Sequence, residues 1–422
     1  MAKKHITPRA LFADAQGQIY DHPQLLMVCR RGNQITLPRP DELIPLPAES
    51  DLYLLPGRDA LGFDPETGCM ERIEQGTAVA GFVCPSYTLS ATTAYQTASQ
   101  DAPHLPLFAY GAIGYAQGKF WVTAKQVDTD KRQVFCNIPC KRIEDGAKRL
   151  MRQFPDNRLV THLAKCALTY GCPAAKNFAL GRFEAPLPTS RTCNARCVGC
   201  ISLQPEDSGF PSSQNRITFR PTVEEICQVM LHHNSREKRA VYSFGQGCEG
   251  EPLTEAALLE QAIATFRAQG GTGTVNINTN ASRPETMAPL ARAGLSSIRA
   301  SMNSAREDLY NAYYRPATFS LADVKATICQ AKAHGLHVSL NYLFFPGIND
   351  TEAELEALTG FLHDTKADFI QMRNLSLDPE IYLSRLPQGT DSPVMGLKNF
   401  MKRIRKNCPW VNFGYFNPYL GK

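Results

Sequence analysis

Ala240-Val-Tyr-Ser-Phe-Gly245-Gln-Gly247-Cys-Glu-Gly250-Glu251-Pro252 is a short apolar run, a glycine loop and then a periodic stretch over 254–269. That order is strand, loop, helix. The same rhythm recurs on both sides of it. Strands are expected at 187–192, 239–245, 274–280, 296–303, 337–345 and 368–375, with helices at 222–233, 254–269, 284–293, 320–334, 351–363 and 395–406. Alternating βα units imply a parallel sheet, and six of them curve into a partial (β/α)6 TIM-like barrel. The fold class is α/β, with functional groups expected at the C-terminal ends of the strands.

Outward from this region the pattern changes. Residues 1–140 carry short alternating runs separated by turn residues, including Arg31-Gly-Asn33, Pro65-Glu-Thr-Gly68 and a hairpin expected from 105–110 and 119–124 around Ala116-Gln-Gly118. They predict a smaller β-rich N-terminal domain that covers the barrel or recruits a macromolecule. Residues 141–185 form a helical connector, broken near Phe154-Pro155 and stopped by Gly171 and Pro173. The barrel is expected over 186–380. Residues 381–422 form a C-terminal helical extension in which positions 397, 400 and 404 pack on the barrel and Lys398, Lys402, Arg403, Arg405 and Lys406 face solvent. An RNA-binding role for that basic face is the alternative.

Of 422 residues, 43% are hydrophobic and 20% charged, which excludes wholesale disorder and fibrous classes. The net charge of +5 is too small to argue by itself for a nucleic-acid or membrane partner. No run approaches the ~18 apolar residues that span a bilayer, and the basic N-terminus lacks an apolar core of secretory length. A cytoplasmic location is expected. Fourteen cysteines in a reducing compartment are metal ligands or catalytic groups more readily than disulfides.

Cys193-Asn-Ala-Arg-Cys197-Val-Gly-Cys200 places three thiols within eight residues, in a loop at the expected barrel mouth. Three thiolates suit an iron–sulfur cube with one iron left open. A zinc knuckle borrowing Cys227 or Cys248 is the other possibility for these ligands. The CxxxCxxC spacing and its position resemble the signature of the radical S-adenosylmethionine (radical SAM) superfamily, although Val198 and Gly199 stand where an aromatic usually precedes the last cysteine. The resemblance spans roughly 187–380. It implies a partial β/α barrel holding a [4Fe-4S] cluster on Cys193, Cys197 and Cys200, bound S-adenosylmethionine, and an electron donor such as flavodoxin or ferredoxin. Reductive cleavage of that cofactor to a 5′-deoxyadenosyl radical would then abstract hydrogen from a substrate: a small molecule, a peptide or RNA.

Gly250-Glu251-Pro252 resembles the GGEP motif of that superfamily, in which carbonyls and a carboxylate accept hydrogen bonds from the methionyl ammonium. Glu249 either contributes to this or is a solvated carboxylate at a helix start. Gly245, Gly247 and Gly250 also spell GxGxxG, a dinucleotide fingerprint, but Glu249 and Glu251 would face a polyanion and no acidic residue ends the next strand. Period-two alternation sets Arg299, Ser301 and Asn303 on one face of the fourth strand. The resemblance makes Asn280, Ser301 and Asn303 cofactor contacts, while buried strand-end polar groups paired to backbone are the simpler account of each. Gln371 and Arg373 suit an anionic substrate group or a structural carboxylate. Cys136, Cys140, Cys166 and Cys172 fit an auxiliary iron–sulfur cluster or plain reduced thiols. A non-catalytic iron–sulfur electron carrier and a nicotinamide-dependent oxidoreductase are the rival functions.

Overall fold

A computed structural model describes residues 6–99, 101–388 and 392–421. The N-terminal part is built from β1 (Arg9–Ala13), β2 (Ile19–Met27), β3 (Cys29–Arg31), β4 (Gln34–Thr36), β5 (Leu43–Pro45), β6 (Asp51–Phe63), β7 (Met70–Phe82), β8 (Tyr87–Leu89), β9 (Thr92–Thr93), β10 (Tyr95–Thr97), β11 (Ile113–Ala116) and β12 (Lys119–Gln126). Nine of these strands join in one sheet, and β4-β3-β9 form a second. The turn residues act as their chemistry dictates. Gly32 and Gly68 both take positive φ, between β3 and β4 and between β6 and β7. Gln117 and Gly118 turn the β11–β12 hairpin, but its first strand is Ile113–Ala116 rather than 105–110. Prolines at 103 and 106 deprive that earlier stretch of N–H donors, and it runs as a loop that buries Leu105 and Leu107.

Three helices follow: α1 (Cys140–Gln153), α2 (Arg158–Leu168) and α3 (Pro173–Leu180). Asn157 caps α2 by accepting from Val160 N, so the break falls at 154–157. Pro173 does not end the connector. It sits at the first position of α3, where a missing N–H costs nothing.

A third sheet runs β13 (Glu184–Pro186), β14 (Val241–Phe244), β15 (Thr274–Thr279), β16 (Ser297–Met302), β17 (His337–Phe344), β18 (Phe369–Asn374), β19 (Asn412–Gly414), in that spatial order and parallel throughout. The intervening helices are α4 (Val223–Asn234), α5 (Ala256–Ala268), α6 (Met287–Ala293), α7 (Glu307–Tyr314), α8 (Leu321–Ala333), α9 (Glu352–Thr365), α10 (Pro379–Arg385) and α11 (Leu397–Asn407). Capping boxes start α4 at Thr222/Glu225 and α8 at Ser320/Asp323.

Two expectations need correction. The first strand lies at 184–186, not 187–192: Pro188 has no N–H, and the amides beyond it bond to a side chain instead of a strand. The C-terminal stretch is not only helical, because β19 extends the sheet beside β18.

Strand alternation splits the sheet cleanly. Tyr242, Phe244, Val275, Ile277, Ile298, Ala300, Met302, Val338, Leu340, Ile370 and Met372 share one apolar core with the helices. The opposite face is polar. There Ser297 Oγ donates to Asn276 Oδ1 (2.9 Å), Asn341 Nδ2 to Ser301 Oγ (3.3 Å), and Arg299 Nη1 to Gln371 Oε1 (2.9 Å). The sheet curls round this face, since one residue reaches both its first strand, β13, and its last but one, β18. Asn417 Nδ2 lies 3.5 Å from Glu184 Oε1, 3.2 Å from Ser243 Oγ and 3.3 Å from Asn278 Oδ1, and its Oδ1 accepts from Gln371 Nε2 at 2.9 Å. Leu420 N donates to Thr274 Oγ1, at the first residue of β15, so the tail lies across the N-terminal ends of the strands.

The N-terminal domain docks at the other end. Thr88 Oγ1 donates to Met372 O, Leu89 N to Asn374 Oδ1, and the buried Arg58–Asp378 ion pair (3.0 Å) joins β6 to the segment after β18. Gly32 N reaches Pro346 O, just past β17. The N-terminal domain thus meets the C-terminal ends of β17 and β18, and the tail the N-terminal end of β15.

Candidate functional site

The cysteine loop follows β13 and is held by backbone on both flanks. On one side Gly250 N donates to Ser190 O and Glu251 N to Thr192 O, both at 2.8 Å. A side chain at position 250 has no room, since its Cβ would stand 1.9 Å from Thr192 O. On the other side Val198 N donates to Tyr313 O, Ala317 N to Asn194 O, and Ala195 pairs with Pro316. Gln204 Nε2 donates to the Val198 and Cys200 carbonyls. The backbone is thus ordered without spending the three sulfurs. Cys200 Sγ touches Ser202 Oγ at 3.8 Å and Arg216 Nη2 at 3.6 Å. Desolvation, then the neighbouring Cys193 and Cys200, hold the Cys197 thiol well above its ordinary range. A cationic metal centre would reverse that penalty by binding thiolates.

Two glutamates stand side by side in this loop with different fates. Glu249 Oε2 accepts from Thr189 N, Thr189 Oγ1 and Ser190 N, and its Oε1 accepts from Gly245 N and Gln246 N. Five donors exceed the roughly four lone-pair sites of a carboxylate, so Glu249 has nothing left for a ligand. It is a buried staple, neither solvated nor a cofactor contact. The same bonds dispose of the dinucleotide fingerprint, because Glu249 occupies the Gly245 and Gln246 amides that would cradle a pyrophosphate.

Glu251 accepts from Leu253 N and Thr279 Oγ1 on Oε1 and from Asn280 N on Oε2. Three of about four sites are filled, which leaves one acceptor on Oε2. Burial pushes its pKa up to about 7 against the opposing hydrogen bonds. A carboxylate so placed gains from an arriving cation.

The remaining expected residues are distributed unevenly. Asn280 stands beside Glu251 and donates from Nδ2 to Asn194 Oδ1, linking the end of β15 to the cysteine loop. Ser301 lies on the polar face, bonded to Asn341. Asn303 does not continue that face. The strand ends at Met302, and the fully buried Asn303 amide donates to Leu309 O and the Tyr382 hydroxyl. Pro252 opens a 3-10 turn capped by Glu251.

Cys136, Cys140, Cys166 and Cys172 are not brought together. The start of α1 (Pro139 to Arg142) lies against Ala179 and Leu180 at the C-terminal end of α3, while Cys172 caps its N-terminal end, some 12 Å away along eight residues. Cys136 and Cys140 are exposed.

Helix α7 carries residues that the sequence did not reveal. Tyr310, Tyr313 and Tyr314 sit one turn apart, Tyr310 stacked on Tyr314 at 4.7 Å, all facing the cysteine loop. The buried Tyr310 hydroxyl has no partner, and Cys197 and Glu251 both help burial to raise its pKa. The Tyr313 hydroxyl lies over Gly199, where a Cβ would come within 2.6 Å. The aromatic spacing at i, i+3 and i+4 was the available signal. On the polar face, Arg299 Nε also lacks a partner. Burial, then the nearby Arg373, pushes Arg299 down to about 9, and Arg373 stacks on Tyr415 at 4.0 Å.

Residues 187–358 match the family model described as the Radical SAM superfamily. The two cofactors implied by the family resemblance, a [4Fe-4S] cluster and S-adenosylmethionine, stand with that match. No curated protein sequence matches this chain. Among solved structures, the chain is similar to HydG, a maturase of the [FeFe]-hydrogenase, at 15% identity over 66% of this chain and 63% of that one, with a TM-score of 0.39. It thus spans less than two thirds of that protein. It is also similar to a radical SAM methyltransferase from Sphaerobacter thermophilus (14% identity, 56% and 67% of the two chains, TM-score 0.38). A third is Streptococcus suis SuiB bound to S-adenosylmethionine (13% identity, 69% and 68%, TM-score 0.38).

Proposed function

Because residues 187–358 form a radical SAM domain, we propose that this protein is a radical SAM enzyme whose curled sheet serves as an open partial barrel, with Cys193, Cys197 and Cys200 holding the [4Fe-4S] cluster. The cluster and S-adenosylmethionine together supply, on reduction by a donor such as flavodoxin or ferredoxin, a 5′-deoxyadenosyl radical able to take hydrogen from an unactivated C–H bond. Everything else is the work of this chain. Glu251 offers its one free acceptor to the methionyl ammonium, with the Gly250 backbone close by because no side chain intervenes. Asn280 and Ser301 border the same space, from the ends of β15 and β16. Asn303 gives its amide nitrogen to Leu309 and Tyr382 but keeps a buried Oδ1 with no partner, so it stays a candidate contact.

The observation that carries this function is the pair of 2.8 Å hydrogen bonds from Gly250 and Glu251 to the residues just before Cys193. They hold the acceptor loop and the thiol loop on one rim. A non-catalytic electron carrier needs the thiols but not that acceptor. The N-terminal domain packs on the C-terminal end of β18 and the tail on the N-terminal end of β15, positions from which they would help to keep water from a reactive radical. Arg299 and Arg373 are half-buried cations close together on the polar face, so the substrate presents an anionic group to them. Fourteen unpaired cysteines fit a cytoplasmic setting.

The test is anaerobic reconstitution with iron and sulfide, dithionite reduction and chromatography for 5′-deoxyadenosine. Wild type forms it slowly without substrate. Absence of the product, or its survival in Cys193→Ala, Cys197→Ala and Cys200→Ala variants, removes the proposal.

A further inference from the structure

Where α2 meets the Gly245–Pro252 loop lies a second group of soft ligands. His162, Cys166 and Cys248 place their ligand atoms all within 4.8 Å of one another. His162 and Cys166 stand one turn apart on α2, with Cys166 Sγ 3.5 Å from His162 Nε2. Cys248 comes from the loop after β14. Cys172, at the start of α3, packs into the same cluster, and its N–H donates to Cys166 O at 3.0 Å.

We propose that these residues form a mononuclear zinc site, bound directly by His162, Cys166 and Cys248, with Cys172, whose sulfur stands outside that 4.8 Å group, moving in as fourth ligand. The donor set is one imidazole and three thiolates, a common structural zinc combination. Distance selects one ion over a cluster. Two sulfurs bound to one zinc at ~2.3 Å stand ~3.8 Å apart in a tetrahedron, within the spread found here, whereas a cube takes its ligands at separate corners. Cys166 and Cys248 are buried and His162 is partly exposed, so the site is dry on the protein side with an edge through which the ion enters. Binding releases the three thiol protons to solvent while the imidazole binds neutral.

The placement gives the ion a task. Cys248 lies two residues before Gly250, and its carbonyl accepts from Ile217 N at 2.7 Å. An ion here would clamp the helical connector to the loop that presents Gly250 and Glu251, without touching the triplet. This inference stands whether or not the chain cleaves S-adenosylmethionine.

Full-length protein produced with added zinc, passed through EDTA and desalted, is assayed for metal by mass spectrometry without any iron–sulfur reconstitution. About one zinc per chain is expected in a Cys193→Ala/Cys197→Ala/Cys200→Ala background, and less than about a tenth of that in Cys166→Ala/Cys248→Ala. Cobalt added to wild type already reconstituted with iron and sulfide should give the added absorption of tetrahedral thiolate coordination, a readout that needs no variant to fold. His162→Ala and Cys172→Ala should each lower the metal retained after EDTA. Wild type and the triple variant both free of zinc, zinc unchanged in Cys166→Ala/Cys248→Ala, or a Cys166–Cys248 disulfide in non-reducing peptide maps would each overturn the site.

Discussion

The two cysteine groups flanking the Gly245–Pro252 loop are made in opposite ways. Cys193, Cys197 and Cys200 are neighbours in sequence, and their loop is shaped by main-chain hydrogen bonds to Ser190, Thr192 and Tyr313, so the sulfurs stay uncommitted. His162 and Cys166 share one turn of α2, and Cys248 joins them only because α2 packs beside the loop after β14. A reactive centre wants ligands whose geometry survives changes of partner, and a local loop provides that. A structural clamp wants ligands from distant segments, because the gain lies in joining them.

The largest expected effect tests whether the two groups are independent. Cys197→Ala should reduce cluster iron and 5′-deoxyadenosine to background while leaving zinc and the unfolding midpoint nearly unchanged. Cys248→Ala should lose zinc and lower thermal stability while retaining cluster iron after reconstitution. If each variant loses both metals, the two groups are one unit and the contrast fails.

A second difference, between Glu249 and Glu251, separates scaffold from site. Glu249→Ala strands five donors, three of them in buried bonds, and should cost roughly 3–5 kcal/mol in denaturant unfolding. Glu251→Gln keeps the shape but removes the charge. It should lower S-adenosylmethionine affinity by roughly 10–100-fold in calorimetry while costing only about 1–2 kcal/mol of stability. Equal stability losses in the two variants would erase the distinction.

The smallest effect is a pH slope. The Glu251 carboxyl titrates near 7 in the fold and near 4.5 when unfolded. Between those values the native state binds the extra proton, so the stability tied to this group is complete below about pH 4.5 and is lost as pH rises through about 7. Glu354, raised by burial to about 7 as well, adds to the same slope. The difference between wild type and Glu251→Gln in unfolding measured from pH 5 to 8 isolates the Glu251 share. Identical slopes would show that Glu251 does not titrate in this window.

Much of the architecture was readable along the chain. β14 to β18 fall within a few residues of their expected places, because alternating polar and apolar positions recur on each. Helix α7 escaped because Arg306 offers no capping side chain and its tyrosines blur the amphipathic pattern. β19 has three residues and becomes a strand only by pairing with β18. At the site, the CxxxCxxC spacing and Gly250-Glu251-Pro252 were visible. The roles of Glu249 and Asn303, and the scattering of Cys136 and Cys140 away from Cys166, were not.

By itself the sequence determined the βα alternation and the three-thiol loop, since periodicity and short spacing are local properties that need no distant partner. Tertiary structure decided which glutamate keeps a free lone pair, which thiols share a centre with His162, and that the C-terminal tail closes the base through Asn417. Each of these depends on which donors and acceptors remain after remote segments have taken theirs, and that is settled only when the whole chain packs.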